Sequence, residues 1–488
     1  MNLAAVLEGA AARAAEREAV VQPGVVRLTY AELRERAARL AGGLARLGLG
    51  RGEALATVLD NRHETVELYW AAQWLGAVFV PLSWRSTEDE IGYCIEDAGA
   101  RLVARDDGDG SVWIGDAPFG ELLCSDEATP SDLDDRSPGL MLYTSGTTGR
   151  PKGVPRSHAA DRAGGVSQAL QHGLAFGDRT LGVMPLYHTM GMHSLLAMPV
   201  VSGCFVCRPR WDAEDALATI EHERLTSLYL APTLYHDLVT HPRRSELDLS
   251  SVECLAYAGA AMTSALVRRC VDAFRPRVFV NHYGSTEIYT FSVQRDQAAK
   301  PGCAGRASIN AILRLVSTDD DAGPDDVVAA GEEGQVICRL DSAEAFGGYW
   351  NRPDADAKAI RGGWYFTGDV GRLDGDGDLW LVGRVDDMII SGGENVHPLE
   401  VEDVVARHPK VSEVAVVAAP DDRLGQRVVA VVVADPGTTA EELDAFCLAD
   451  GAIARWKRPR EYRFVDELPK SASGKILRRL LRSASVPT

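Results

Sequence analysis

The stretch Tyr143-Thr-Ser-Gly-Thr-Thr-Gly-Arg-Pro-Lys-Gly153 decides how the rest of the sequence is read. An apolar run, Leu140-Met141-Leu142, precedes it and predicts a buried strand that ends in a loop. Hydroxyls at Thr144, Ser145, Thr147 and Thr148 alternate with Gly146 and Gly149, and Lys152 follows. Glycines let successive backbone N–H groups curl around an anion, hydroxyls add donors, and a lysine adds a point charge. Such a loop suits a polyphosphate. It is not the GxxxxGK[ST] loop, because Lys152 does not directly follow Gly149 and no hydroxyl comes after it.

With 488 residues the chain exceeds one ordinary core, so two or more domains are expected. A hydrophobic content of 46% and a charged content of 25% are those of a globular protein. The net charge of −19 argues against a nucleic acid or an anionic membrane surface as partner. Between Arg455 and Arg482, however, basic residues (among them Arg458, Arg460, Lys470 and Lys475) outnumber Glu461, Asp466 and Glu467, a hint of an anionic ligand at that end.

The nine cysteines are scattered, as in a reduced intracellular protein. The CxxC of Cys204 and Cys207 lies in an apolar run over 200–206 that reads as a strand, where an i, i+3 pair points to opposite faces. Buried structural cysteines are expected there. The N-terminus has no basic segment, and Glu8 interrupts its apolar run, so no signal peptide is expected. The most apolar window, 66–82, contains Glu67, Gln73, Gly76 and Pro81 and is too short and interrupted to cross a bilayer. A cytoplasmic protein without a membrane partner is the expectation.

Along the chain, Thr29 and Glu32 form a capping box ahead of a helix carrying Leu33, Ala37, Leu40, Leu44 and Leu47. Strands over 54–59, 78–82 and 101–104 alternate with helices over 65–75 and 88–95, and residues 105–139 read as loop. Helices over 212–223, 233–239 and 264–274 then alternate with strands over 227–230, 252–257 and 277–280. This is an α/β pattern of doubly wound, largely parallel sheets. Ligands in such sheets bind beyond the carboxyl ends of strands, so the loops at Ala258-Gly259-Ala260 and Tyr283-Gly-Ser-Thr-Glu287 should converge with Tyr143–Gly153. Asp374-Gly-Asp-Gly-Asp378 lacks the glycine and the glutamate that a calcium loop needs, and reads as a tight turn. A second αβ block begins near Asp386, with helices over 399–407 and from 439, and strands over 411–418 and 428–434.

The motif at Tyr143–Gly153 resembles the AMP-binding signature of the acyl-adenylate-forming enzymes, which include acyl- and aryl-CoA ligases, luciferases and peptide-synthetase adenylation domains. The resemblance extends over nearly the whole chain and is closest to the 4-chlorobenzoate:CoA ligase branch, through Gly383-Arg-Val-Asp-Asp-Met-Ile-Ile-Ser-Gly-Gly393 and the residues after it. It implies a large multi-sheet N-terminal domain over 1–385 and a small, mobile α+β C-terminal domain over 386–488, with Asp386 as hinge. It implies an ATP-dependent carboxylic acid:CoA ligase that requires Mg²⁺, forms an acyl-AMP and alternates between two domain orientations.

By the same resemblance Tyr283 packs against adenine, with Gly259 and Ala260 as the opposite wall. Thr286 contacts the α-phosphate, and Glu287 holds Mg²⁺. Asp369, in Trp364-Tyr-Phe-Thr-Gly-Asp, accepts from the ribose with Arg384 assisting, and Lys475, in Pro469-Lys-Ser-Ala-Ser-Gly-Lys, bridges the attacking carboxylate and the phosphate. Gly392 and Gly393 line a pantetheine tunnel, and Arg85, Trp456, Arg458 and Arg460 hold the nucleotide end of coenzyme A. One departure stands out: the tryptophan that covers pantetheine in the family is Leu424 here.

His188, in Met184-Pro-Leu-Tyr-His, flanks the acyl pocket by this resemblance. Its spacing to His193 is not that of a metal pair on one helix face. Met184, His188, Met190, Tyr257 and Tyr283 suggest an apolar, aromatic pocket for an aryl or alicyclic acid. The alternatives are an adenylating enzyme that loads a carrier protein and a medium- or long-chain fatty acyl-CoA synthetase. Small-molecule acid, ATP and coenzyme A are the expected partners; a homodimer is compatible with the sequence, and no residue decides it.

Overall fold

Alternating strands and helices build two large sheets that enclose a shared helical core. A computed structural model describes residues 2–144, 150–392, 394–451, 453–470 and 476–481. Among the described residues four sheets form. In a seven-stranded sheet, Ala54–Val58 lies parallel to Val78–Pro81 and Ala100–Asp106, and Val78–Pro81 lies parallel to Pro138–Thr144. The last of these folds back antiparallel into Lys152–Ser157. In a nine-stranded sheet, Arg179–Gly182, Cys204–Cys207, Ser227–Leu230, Cys254–Tyr257 and Val278–Tyr283 run parallel. The capping box at Thr29 is formed in both directions and starts the helix Tyr30–Arg46. That helix buries Leu33, Ala37, Leu40 and Leu44 in one apolar cluster with Trp70 and Trp74 of the helix His63–Leu75, a cluster that also takes in Leu195 and Leu196 of the helix Thr189–Val200.

A smaller antiparallel sheet follows, in which Trp364–Leu373 pairs with Leu379–Arg384 and sets Asp369 opposite Arg384. The turn between these strands is Asp374–Asp378. Its three carboxylates lie within 4.8 Å of one another, and Lys300 Nζ sits among them at 3.1, 2.7 and 2.6 Å. An ammonium thus stands among the three carboxylates, and Gly377, at φ +80°, supplies the turn. From Ile389 onward the chain builds its own sheet around Gly425–Ala434 and Val411–Asp421, with its own apolar core under the helix Pro398–Val405.

Two expectations change. Residues 105–139 are not all loop: Val112–Ile114 and Ala117–Pro118 form a hairpin on the sheet edge, and Phe119–Leu122 a helical turn. Their apolar content is small, but Val112, Ile114, Phe119 and Leu122 are all buried. The run over 200–206 is not one strand: the helix Thr189–Val200 ends in it, Ser202 turns the chain at φ +49°, and the strand is Cys204–Cys207. That helix and His158–His172 escape a periodicity reading because both bury residues around much of their circumference. Cys204 and Cys207 are buried in their strand, and burial pushes the Cys204 thiol up to about 12. Among the described residues no helix is long and apolar enough to cross a membrane.

Candidate active site

The hairpin register fixes the root of the glycine-rich loop. Thr144 pairs with Lys152 across the two strands; Ser145, Gly146, Thr147, Thr148 and Gly149 lie outside the described residues. Lys152 Nζ stands 4.0 Å from the centroid of the Tyr349 ring. Burial holds its ammonium below the ordinary lysine value, against the attraction of Glu287. Tyr349 donates its hydroxyl to Glu287 Oε1 at 2.6 Å, and burial with that carboxylate pushes the phenol up, keeping it a donor. Cation, ring and carboxylate form one connected group.

Glu287 is held by a loop that closes on itself. Ser285 N–H donates to Ile288 O at 3.0 Å, and Phe291 N–H to Tyr283 O at 2.8 Å. Gly284 permits this: a Cβ there would lie 1.8 Å from Tyr289 O. Thr286 Oγ1 is 3.0 Å from Oγ1 of Thr189, the first residue of the helix whose N-cap is His188. His188, Thr189 and Thr286 therefore gather at a helix N-terminus, where the helix dipole favours negative charge and His188 Nδ1 accepts from Met190 N–H at 3.4 Å. Beside them, Asp369 is gripped from two sides. Tyr283 donates its hydroxyl to Oδ2 at 2.7 Å, and Arg384 Nη1 donates to Oδ1 at 2.8 Å.

Gly259, at φ +83°, and Ala260 are exposed, and a Cβ on Gly259 would lie 3.6 Å from Met190 Sδ. Small residues and a buried methionine thus meet at the strand end. Tyr257 does not join them, contrary to expectation: its ring packs in the core against Phe279 and its hydroxyl donates to Gln297 Oε1 at 2.9 Å.

Arg85 lines a cavity of about 240 Å³ with Asn61, Trp84, Met184, Tyr187, Arg210 and Lys470. Its guanidinium lies over Trp84 at 4.9 Å, as does that of Arg210 at 4.8 Å. Among the described residues this cavity includes Lys470 and none of Trp456, Arg458 and Arg460. Arg458 Nε donates to Asp444 Oδ1 at 2.6 Å, while Trp456 and Arg460 are exposed. Gly392, at φ +64°, donates its N–H to Leu424 O at 2.8 Å, and an added Cβ would meet Leu424 Cδ2 at 3.3 Å. Leu424 therefore covers Gly392. Asp386 is exposed in the short turn Val385–Asp387; Gly393 and Lys475 lie outside the described residues.

Residues 7–350 match the model of the AMP-binding enzymes, and residues 400–475 match that of their C-terminal domain. The chain belongs to the AMP-binding enzyme family. A feruloyl-CoA synthase of an Amycolatopsis species is 35% identical to this AMP-binding enzyme over 96% of each chain. A 4-chlorobenzoate–CoA ligase of an Arthrobacter species is 34% identical over 94% of this chain and 92% of its own. The crystal structure of an anthranilate CoA ligase with anthranoyl-AMP superposes with a TM-score of 0.92 at 28% identity, covering 99% of this chain and 97% of the other.

Two residues of this AMP-binding enzyme have no sequence signal of their own. Tyr349 stands 62 positions from the glutamate it touches. Asn61 donates through Nδ2 to Gly182 O at 3.1 Å and Met184 O at 2.6 Å, and accepts from Leu186 N–H at 3.0 Å. It pins the loop that carries Met184, 123 positions away in sequence.

Proposed function

We propose that the protein activates an aromatic carboxylic acid with ATP and passes the acyl group to the thiol of coenzyme A. It is an AMP-forming acid–CoA ligase. The observation that carries the reading is the Lys152–Tyr349–Glu287 group, whose Glu287 shares a loop with Thr286 at a helix N-terminus and with Tyr283, the donor to the doubly held Asp369. Joining a carboxylate to a polyphosphate opposes like charges, so neutralisation is the main demand on the site. The acid oxygen forms a bond to the α-phosphorus as the bond to pyrophosphate breaks. The thiol sulfur then bonds the acyl carbon, AMP leaves, and the thiol proton is released.

In this reading Lys152 and the loop Thr144–Gly149 cradle phosphates, Thr286 meets the α-phosphate, and Asp369 with Arg384 takes the ribose. Tyr283, Gly259 and Ala260 border the base, and His188 borders the acyl group. The buried Glu287 carboxylate, steadied by Tyr349, is a hard oxygen ligand suited to Mg²⁺, which when bound supplies positive charge to the phosphates. Lys475 approaches from a C-terminal domain that begins at the Asp386 hinge. Arg85 meets coenzyme A from one side, and Trp456, Arg458 and Arg460 from the other. An aryl acid is favoured by the relatives' substrates (ferulate, 4-chlorobenzoate, anthranilate) and by the methionine-lined, small-residue wall at Gly259.

Pyrophosphate exchange and thioester formation, measured over aryl, alicyclic and fatty acids with and without coenzyme A, test the reading. Exchange without a coenzyme A thioester would favour a carrier-protein loader; no exchange with any acid would remove it. Lys475→Ala should slow acyl-AMP formation by roughly 10²–10³ and spare thioester formation from supplied acyl-AMP.

A further inference from the structure

The strand Lys152–Ser157 carries a second cation that the functional reading leaves without a task. Side chains at 152, 154 and 156 share one face of it. Lys152 faces the Glu287 carboxylate through Tyr349, and Val154 packs with Tyr283 and Ile288. Arg156 goes to the backbone of the same loop. Its Nη1 donates to the carbonyls of Glu344 at 2.7 Å, Glu287 at 3.2 Å and Thr286 at 3.4 Å, while Nε donates to Asp161 Oδ1 at 3.0 Å. The guanidinium lies 3.6 Å from the Tyr289 ring centroid, and both partners of the ion pair are fully buried.

We propose that Arg156 is a positioning residue for adenylation: by fixing the peptide planes of Thr286 and Glu287 it aims the Glu287 carboxylate at the metal–nucleotide. The inference rests on the reading of Glu287 as the metal carboxylate. A buried ion pair is poor evidence of stabilisation, because apolar residues of similar volume often serve a core as well. Here one arm, Arg156 Nη2, has no hydrogen-bond partner among the described residues, whereas Nη1 is shared by three carbonyls on two loops. That distribution serves the placement of those loops. Rotating the plane of a peptide swings the side chain attached to it, so a small shift at the carbonyl of residue 287 displaces its carboxylate.

The test compares the wild type, Arg156→Lys, the charge-balanced pair Arg156→Met with Asp161→Asn, and Glu287→Gln. The Mg²⁺ concentration that half-saturates ATP binding, read by calorimetry in the absence of acid, should rise by about tenfold or more in the paired variant and less in Arg156→Lys, and the Mg²⁺ concentration for half-maximal pyrophosphate exchange should rise with it. Thioester formation from supplied acyl-AMP should change less than twofold. Unchanged Mg²⁺ half-saturation in folded Arg156 variants, with Glu287→Gln inactive, overturns the positioning role alone. Equal losses in both half-reactions, or variants that never fold, make Arg156 a fold element and overturn it too. A wild type without exchange, or an active Glu287→Gln with normal Mg²⁺ dependence, removes instead the functional reading beneath it.

Discussion

At Gly284 there is room for a hydrogen and nothing larger, since a methyl would press on the Tyr289 carbonyl oxygen from 1.8 Å. Gly284→Ala should therefore displace the Thr286–Glu287 stretch and cost about 1–3 kcal/mol, read from urea unfolding. Its pyrophosphate exchange should fall by more than that loss of folded protein explains; unchanged exchange would mean the loop tolerates the shift. Tyr349→Phe is gentler. The ring remains under Lys152, but Glu287 loses its donor, so half-saturation by Mg²⁺ should rise by about tenfold with little change in melting temperature. If the melting point falls and the Mg²⁺ dependence does not move, the hydroxyl serves the fold. The strings that carry Lys152, Thr286 and Glu287 stand out in sequence because they are short and contiguous, and the structure links Lys152 to Glu287 through Tyr349. Tyr349 and Arg156 were not, because what they touch lies 62 and about 130 positions away.

Elements follow the same division. The turn at Asp374–Asp378 was legible from its Asp-Gly pairs, whereas Lys300, which makes three converging carboxylates tolerable, comes from a distant loop. Lys300, more than Arg306, holds the Asp378 carboxyl below the ordinary aspartate value. A depressed carboxyl stabilises the fold above the unfolded value, about 4, and that contribution is lost as pH falls through the folded value. Lys300→Met should lower the urea midpoint at pH 7, and the gap to the wild type should narrow as pH falls below about 4; a gap that does not change with pH would show that the ammonium does not neutralise this turn. Capped, half-buried helices such as Tyr30–Arg46 announce themselves through spacing, while Thr189–Val200, buried on nearly every side, carries no stripe to read.

For the molecule as a whole, an αβ block after Asp386 was legible from the restart of strand and helix patterns; how that block meets the rest was not, because the contacts join remote segments. His397 Nε2 lies 2.9 Å from Glu333 Oε2, Ser264 N–H donates to Asp403 Oδ1 at 3.2 Å, and Lys470 lines the cavity of Arg85. The His397 contact is the main reason the Glu333 carboxyl titrates below its ordinary value, so the pair favours this arrangement. Adenylation and thioester formation need different groups at one acyl carbon, and on the proposed mechanism a C-terminal block that swung between two arrangements would supply them in turn. An interaction present in one arrangement alone biases the equilibrium by its own free energy. For a half-exposed pair that is up to about 1 kcal/mol, a factor of about five. Glu333→Gln keeps an acceptor but removes the charge. If the arrangement seen here is the adenylating one, the variant should form acyl-AMP about two- to fivefold more slowly in single-turnover assays and convert supplied acyl-AMP to thioester at an unchanged or higher rate. The opposite pattern would assign this arrangement to thioester formation, and an equal change in both steps would mean that the Glu333–His397 contact does not discriminate between the two.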